Sequence, residues 1–126
     1  MRAGQRIHSE YQERRATEDQ AFRKEVTIRH SLVVRGWDVV ISGRIDGISQ
    51  SDGCLVVEEV KSSALGHDRL SVLSTADLPD AAVQLQTYMY AMANNGRPAV
   101  GRLVLMSVAD GTQHVIHVQP DPEFGA

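Results

Sequence analysis

The segment from Arg44 to Lys61 constrains the fold of this chain more than any other. Asp52-Gly53 lies between two runs rich in β-formers, the strongest local sign of a two-residue hairpin turn. Such a turn pairs Ser51 with Cys54; counting outward sets Asp46 opposite Glu59 and Arg44 opposite Lys61. In an antiparallel ladder Asp46 and Glu59 then form a non-hydrogen-bonded pair, whose Cβ atoms approach to about 4.5–5.5 Å. Two like charges so placed destabilise a sheet unless something is held between them, and a divalent cation is the obvious candidate. The two-residue period sends Lys61 out of the same face as Glu59 and Asp46. Hard oxygen donors suit Mg²⁺ or Mn²⁺, and an adjacent amine can stabilise a phosphate or position a water, which is the chemistry of phosphodiester hydrolysis. The same spacing also fits an exposed hairpin whose four charges form crossed surface pairs worth little.

A second turn complicates the sheet. If Arg35-Gly36 is also a tight loop, Glu25 stands opposite Asp46 in the same pairing phase. A residue cannot be in that phase toward both neighbours, because its N–H and C=O point to one side. The expectation is that the first strand carries a bulge or that the Arg-Gly turn is not tight, with the Asp-Gly turn the more trustworthy of the two. Whether Glu25 reaches the acids stays open.

Along the chain, residues 4–24 read as a helix with Ile7 and Tyr11 on one face. Strands are expected over Glu25 to Val34, Trp37 to Ile48 and Leu55 to Lys61. Ser62 to Leu78 shows no clear period and is long for a connection; His67 within it could pass over the site. Asp77-Leu78-Pro79-Asp80 starts a second helix that Gly96 and Pro98 stop, with Ala82, Leu85, Met89 and Met92 as its apolar stripe. Two further strands, Gly101 to Val108 and Thr112 to Val118, flank Asp110-Gly111. The order is α-β-β-β-α-β-β, an α/β fold, without internal repeat.

The pattern Asp46, then Glu59-Val60-Lys61 at the end of an apolar strand, resembles the D…(E/D)-x-K signature of PD-(D/E)XK nucleases. Gly43-Arg44-Ile45-Asp46 and Val57-Glu58-Glu59-Val60-Lys61-Ser62 are similar to the RecB-like branch, which includes CRISPR-adaptation nucleases and the nuclease domain of helicase-nucleases. Gly4-Gln5-Arg6-Ile7-His8 resembles the branch's G-x-x-x-H, and Gln84-Leu85-Gln86-Thr87-Tyr88 its Q-x-x-x-Y. The resemblance runs from about Gly4 to Tyr90. It implies a restriction-endonuclease-like core, a mixed central β-sheet flanked by helices, as one domain over residues 1–126. It implies a metal-dependent deoxyribonuclease acting on DNA ends or single strands, with exonuclease action favoured over endonuclease action, in repair, recombination or defence. His8, Asp46 and Glu59, with the Val60 carbonyl, would bind Mg²⁺ or Mn²⁺. Lys61 would orient the attacking water, Gln84 would position the lysine or the water, and Tyr88 would contact the nucleic-acid backbone. A fused or associated helicase is implied as partner. PD-(D/E)XK domains can also serve as non-catalytic strand-binding or structural modules, the alternative reading.

Composition narrows the setting. The chain has 126 residues, enough for one core, and 42% hydrophobic with 23% charged residues is ordinary for a soluble globular protein. No stretch approaches the roughly 18 apolar residues of a membrane span, and the first ten residues lack the apolar core of a signal peptide. One cysteine, Cys54, excludes an internal disulfide and a four-cysteine iron–sulfur cluster, and a cytoplasmic setting is expected. Net charge is −3, awkward for a DNA-binding protein, but residues 1–35 hold eight Lys/Arg against five Asp/Glu. Arg14 and Arg15 on the first helix, with Arg44 on the hairpin, are the candidate phosphate contacts, although each also fits a solvated face with local pairs such as Glu10–Arg14. No glycine-rich phosphate loop and no acyl-transfer pattern is present.

Overall fold

The computed structural model describes residues 3–18 and 22–124, with side chains of the first helix described over 8–16. A polar helix α1 (Ala3–Glu18) leads into a long β-ribbon, β1 (Arg23–Val34) and β2 (Trp37–Ser51), then β3 (Cys54–Ser63). After a short helix α2 (His67–Leu70) and a 3₁₀ turn (Thr75–Asp77), α3 (Pro79–Asn94) carries the chain across to β4 (Ala99–Ser107) and β5 (Gln113–Val118). The five strands lie in sequence order; β3 and β4 are parallel and every other pair antiparallel. The fold is therefore the mixed sheet with flanking helices that the sequence order suggests, with two small helical turns inserted in the long connection.

α3 begins at Pro79, whose missing N–H is no loss at a helix start. Its buried stripe is Ala81, Leu85, Tyr88, Met89, Ala91 and Met92. Tyr88 and Ala81 thus join the core, while Ala82, expected there, is only partly buried. This stripe packs with Val57, Leu103 and Leu105 on one face of the sheet. The alternate residues Val60, Val104 and Met106 meet Tyr11 of α1 on the other. α1 is shorter than expected: Arg23 and Lys24 belong to β1, not to the helix. Exposed charges carry no period, so an edge strand and a helix surface look alike in such a stretch. Of the α1 side chains described, only Tyr11 and Gln12 are buried, so this helix docks through few and partly polar contacts. Among the described residues no helix is long and apolar enough to cross a membrane.

Both turns are tight. Arg35 and Gly36 have φ of 52° and 81°, Asp52 and Gly53 of 52° and 76°, and the pairs Val34–Trp37 and Ser51–Cys54 close the two hairpins. The left-handed pair of a primed turn matches the twist of the strands it joins. Cys54 packs beside its turn, its thiol donating to the Pro98 carbonyl at 3.3 Å.

Candidate active site

With both turns tight, the phase conflict has to be absorbed somewhere, and it is absorbed at Asp46. The β1–β2 register skips the Glu25–Asp46 pair and resumes at Lys24–Gly47. The β2–β3 register runs from Ser51–Cys54 to Gly47–Glu58 and stops one pair short of Asp46–Glu59. Glu25 takes the left-handed conformation, φ 53°, the only such non-glycine residue in the described part of the chain outside a turn. Ile45 and Ile48 both pack on the α3-side core, which strict alternation over three residues forbids, so β2 changes phase between them. Beside the switch, Gly47 makes room for Phe22, since a Cβ there would lie 2.5 Å from that ring. The expected bulge is thus a matched irregularity in two strands. Asp46, absent from both ladders, is released for other bonds.

Its carboxylate uses that freedom. Asp46 Oδ2 accepts the Val60 N–H at 2.8 Å, taking the place of a ladder carbonyl, and its backbone carbonyl accepts the Gln12 side-chain amide at 3.0 Å. Glu59 is 4% exposed, its Oε1 lies 3.5 Å from Lys61 Nζ, and its buried Oε2 has no hydrogen-bond partner. Burial, and next the Asp46 carboxylate, push the Glu59 carboxyl up to about 7; Lys61 opposes them. His8 on α1 feels the same groups. Burial lowers its pKa, Asp46 raises it and Lys61 lowers it, so the imidazole is held toward its neutral form.

Two acids forced together, one with an orphaned buried oxygen, fit a divalent cation. Mg²⁺ is commonly held by one or two carboxylates, with waters and substrate phosphates completing its shell. The fuller set expected from the sequence is not assembled. Among the described residues no group of three or more His, Cys, Asp or Glu side chains is close enough to hold a metal, so His8 neighbours the two acids without completing a three-donor cluster. α1 carries His8 and the strands carry the acids, so the third donor comes from a different layer of the fold.

Glu58, one residue away, points through the opposite face and meets different company. It is fully buried, with Arg102 Nε at 3.1 Å, Arg15 Nε at 3.5 Å and the Tyr11 hydroxyl donating at 3.2 Å. Burial and the Glu58 charge raise the Tyr11 pKa, keeping the phenol protonated as the donor.

Comparison with known proteins settles the family. A family model of the PD-(D/E)XK nuclease superfamily matches residues 1–124. This chain belongs to the PD-(D/E)XK nuclease superfamily. The crystal structure of SSO0001 shares the fold, with a TM-score of 0.64 over 94% of this chain at 20% identity. The chain spans 52% of the length of that protein. No curated protein matches it.

Placed in the superfamily fold, several expected roles change. Arg15 was expected on nucleic acid, but its side chain is 17% exposed, drawn inward by Glu58 and stacked 5.1 Å from the Phe22 ring centroid. Arg14 remains exposed, donating to Gln113 Oε1 at 3.0 Å, on the Glu58 side of the sheet. Arg44 is exposed but pairs with Thr27; the ladder to β3 ends before it could face Lys61. Gln84 does not reach Lys61 among the described contacts; its amide donates to the Tyr88 hydroxyl at 3.2 Å. Tyr88 is 6% exposed, and its hydroxyl reaches the Arg44 carbonyl at 3.5 Å. A Cβ at position 43 would come within 2.7 Å of that hydroxyl, so Gly43 serves the fit of Tyr88 against β2. His67 is exposed on α2, its N–H donating to Asp110, and Glu25 is exposed on β1; neither is among the groups perturbing Glu59 or His8. Arg2 and the side chains of Arg6 and Ile7 lie outside the described residues. Gln12 and Arg102 were not foreseen. Gln12 is four residues after His8, on the same helix face, and that spacing is the one sequence signal that could have marked it.

Proposed function

We propose that this chain is a divalent-metal-dependent DNA nuclease of the RecB-like branch, with Asp46, Glu59 and Lys61 as its catalytic residues. The observation that carries the reading is Glu59: a buried carboxylate with one oxygen unpartnered, beside a second acid and 3.5 Å from an amine, in a chain of a nuclease superfamily. Asp46 and Glu59 would hold Mg²⁺ or Mn²⁺, with the Val60 carbonyl as a further oxygen and His8 as an outlying donor. When bound, the cation supplies an acidified water and polarises the scissile phosphate.

The chain's own groups do the rest. Lys61 is tethered by Glu59 yet 44% exposed, so its ammonium can meet a phosphate while staying near the acids. There it orients the attacking water and offsets the charge that develops on the phosphoryl oxygens. The Val60 N–H fixes the Asp46 carboxylate against rotation. Gln84 and Tyr88 act at a distance, holding β2 at Arg44. Exposed Arg44 supplies a backbone contact to DNA, with Arg14, on the Glu58 side, reaching strand that runs past the site. By resemblance, ends or single strands are the substrate, exonuclease action is favoured over endonuclease action, the chain forms one domain, and a helicase is its partner.

The experiment is degradation of end-labelled single- and double-stranded DNA with Mn²⁺, Mg²⁺ or EDTA, comparing wild type with Lys61→Ala. Metal-dependent cleavage lost in the variant supports the reading. The second reading, a non-catalytic strand-binding module, draws on the lack of a three-donor cluster among the described residues. Metal-independent DNA binding without cleavage is the result that favours it.

A further inference from the structure

We propose that Gln12 is a positioning residue, whose side-chain amide holds the backbone of Asp46 in the phase-switched conformation that presents its carboxylate to the site. The inference rests on the reading of Asp46 as a metal-holding acid. It starts from an accounting of backbone groups. In a regular strand the Asp46 carbonyl would bond a neighbouring strand, but Asp46 belongs to neither register. An interior carbonyl without a partner is costly, and here the partner comes from outside the sheet: Gln12 Nε2 at 3.0 Å.

Three features make this more than an incidental contact. Gln12 is 5% exposed, and a glutamine is seldom so deeply buried without its polar groups in use. The bond joins α1 to β2 at the residue where the strand changes phase. It also acts on the acid whose other bond, from the Val60 N–H at 2.8 Å, aims the carboxylate. Fixing the carbonyl fixes the peptide plane, and with it the direction in which Cβ of Asp46 leaves the chain. Because His8 lies one helical turn earlier, the same bond also sets how close the imidazole comes to the acids.

Two variants test it. Gln12→Met keeps the volume and removes the donor; Gln12→Asn keeps the amide and shortens its reach. The first readout is amide hydrogen exchange of the metal-free protein, which needs no nuclease activity and so stands even if wild type cleaves nothing. The Val60 amide should exchange about tenfold faster in both variants, while Leu55 and Val57, earlier on β3, keep their wild-type rates. The second readout is Mn²⁺ binding, expected to weaken by about 10–100-fold, as for other residues that orient a ligand from behind. In cleavage, kcat should fall while KM for DNA stays. Unchanged Val60 exchange with unchanged Mn²⁺ affinity would overturn the proposal. So would faster exchange spread evenly over β3, which would make Gln12 a packing residue.

Discussion

Glu58 and Glu59 are consecutive, both buried, and opposite in character. Glu58 has two guanidinium charges within 3.5 Å of Oε1 and a phenol donating to Oε2; Oε1 takes no hydrogen bond, but the positive charges offset it within the protein. Glu59 is met by another acid and one half-exposed lysine, and an oxygen is left over. The first is a closed arrangement that fastens α1 and β4 to β3. The second is an open one, which spends stability and gains the capacity to bind something positive. A buried acid is therefore no sign of a site by itself; what it is buried against decides.

The sharpest way to break this comparison is to remove groups on the open side. Lys61→Ala and Asp46→Ala should each lower DNA cleavage by at least about 100-fold with the fold intact, read as initial rates beside thermal unfolding. On the closed side the large effect falls on stability. Glu58→Ala leaves the partly buried Arg15 and Arg102 without their counter-charge and should cost about 2–3 kcal/mol in denaturant unfolding, less than a fully buried pair.

A pH series probes the open side further. The folded carboxyl of Glu59 titrates at about 7 against 4.5 as its ordinary value. A raised pKa means the folded state favours the protonated form. That contribution is fully present below pH 4.5 and is lost as pH rises through about 7. The metal-free protein should lose roughly 3 kcal/mol of stability across that window. Glu59→Gln should abolish the dependence, and saturating Mn²⁺ should oppose the loss at the upper end. The smallest effect concerns support for the open side from α3. Gly43→Ala drives a methyl toward the Tyr88 hydroxyl and should destabilise by about 1–3 kcal/mol, seen as a lower denaturant midpoint.

What could be read in the sequence was what local chemistry dictates. Asp52-Gly53 sets one register; a tight Arg35-Gly36 turn would set a conflicting one at Glu25 and Asp46, and the fold keeps both turns tight and places the irregularity at those two residues. The helix at Pro79 and the parity of Glu59 with Lys61 followed from capping and period. Contacts across long separations were not legible. Gln12 meets Asp46 only because α1 packs on β3, next to β2, and Glu58 meets Arg102 only because β3 and β4 run parallel in a register that no turn sets. The resemblance implies a nucleic-acid role for Tyr88 and the basic cluster one for Arg15; neither signal carries the packing of Tyr88 on Gly43 or the pairing of Arg15 with Glu58. Glu58 carried a usable hint. An acid alternating with Val57 and Glu59 in an apolar strand must face the other interior, and so needs cationic partners there.

The most direct test of the central claim is cleavage of end-labelled DNA in Mn²⁺ by wild type, Glu59→Gln and Glu58→Gln, each at a temperature where it is shown to be folded. The account predicts cleavage by wild type and Glu58→Gln and none by Glu59→Gln. Cleavage that survives Glu59→Gln would contradict it.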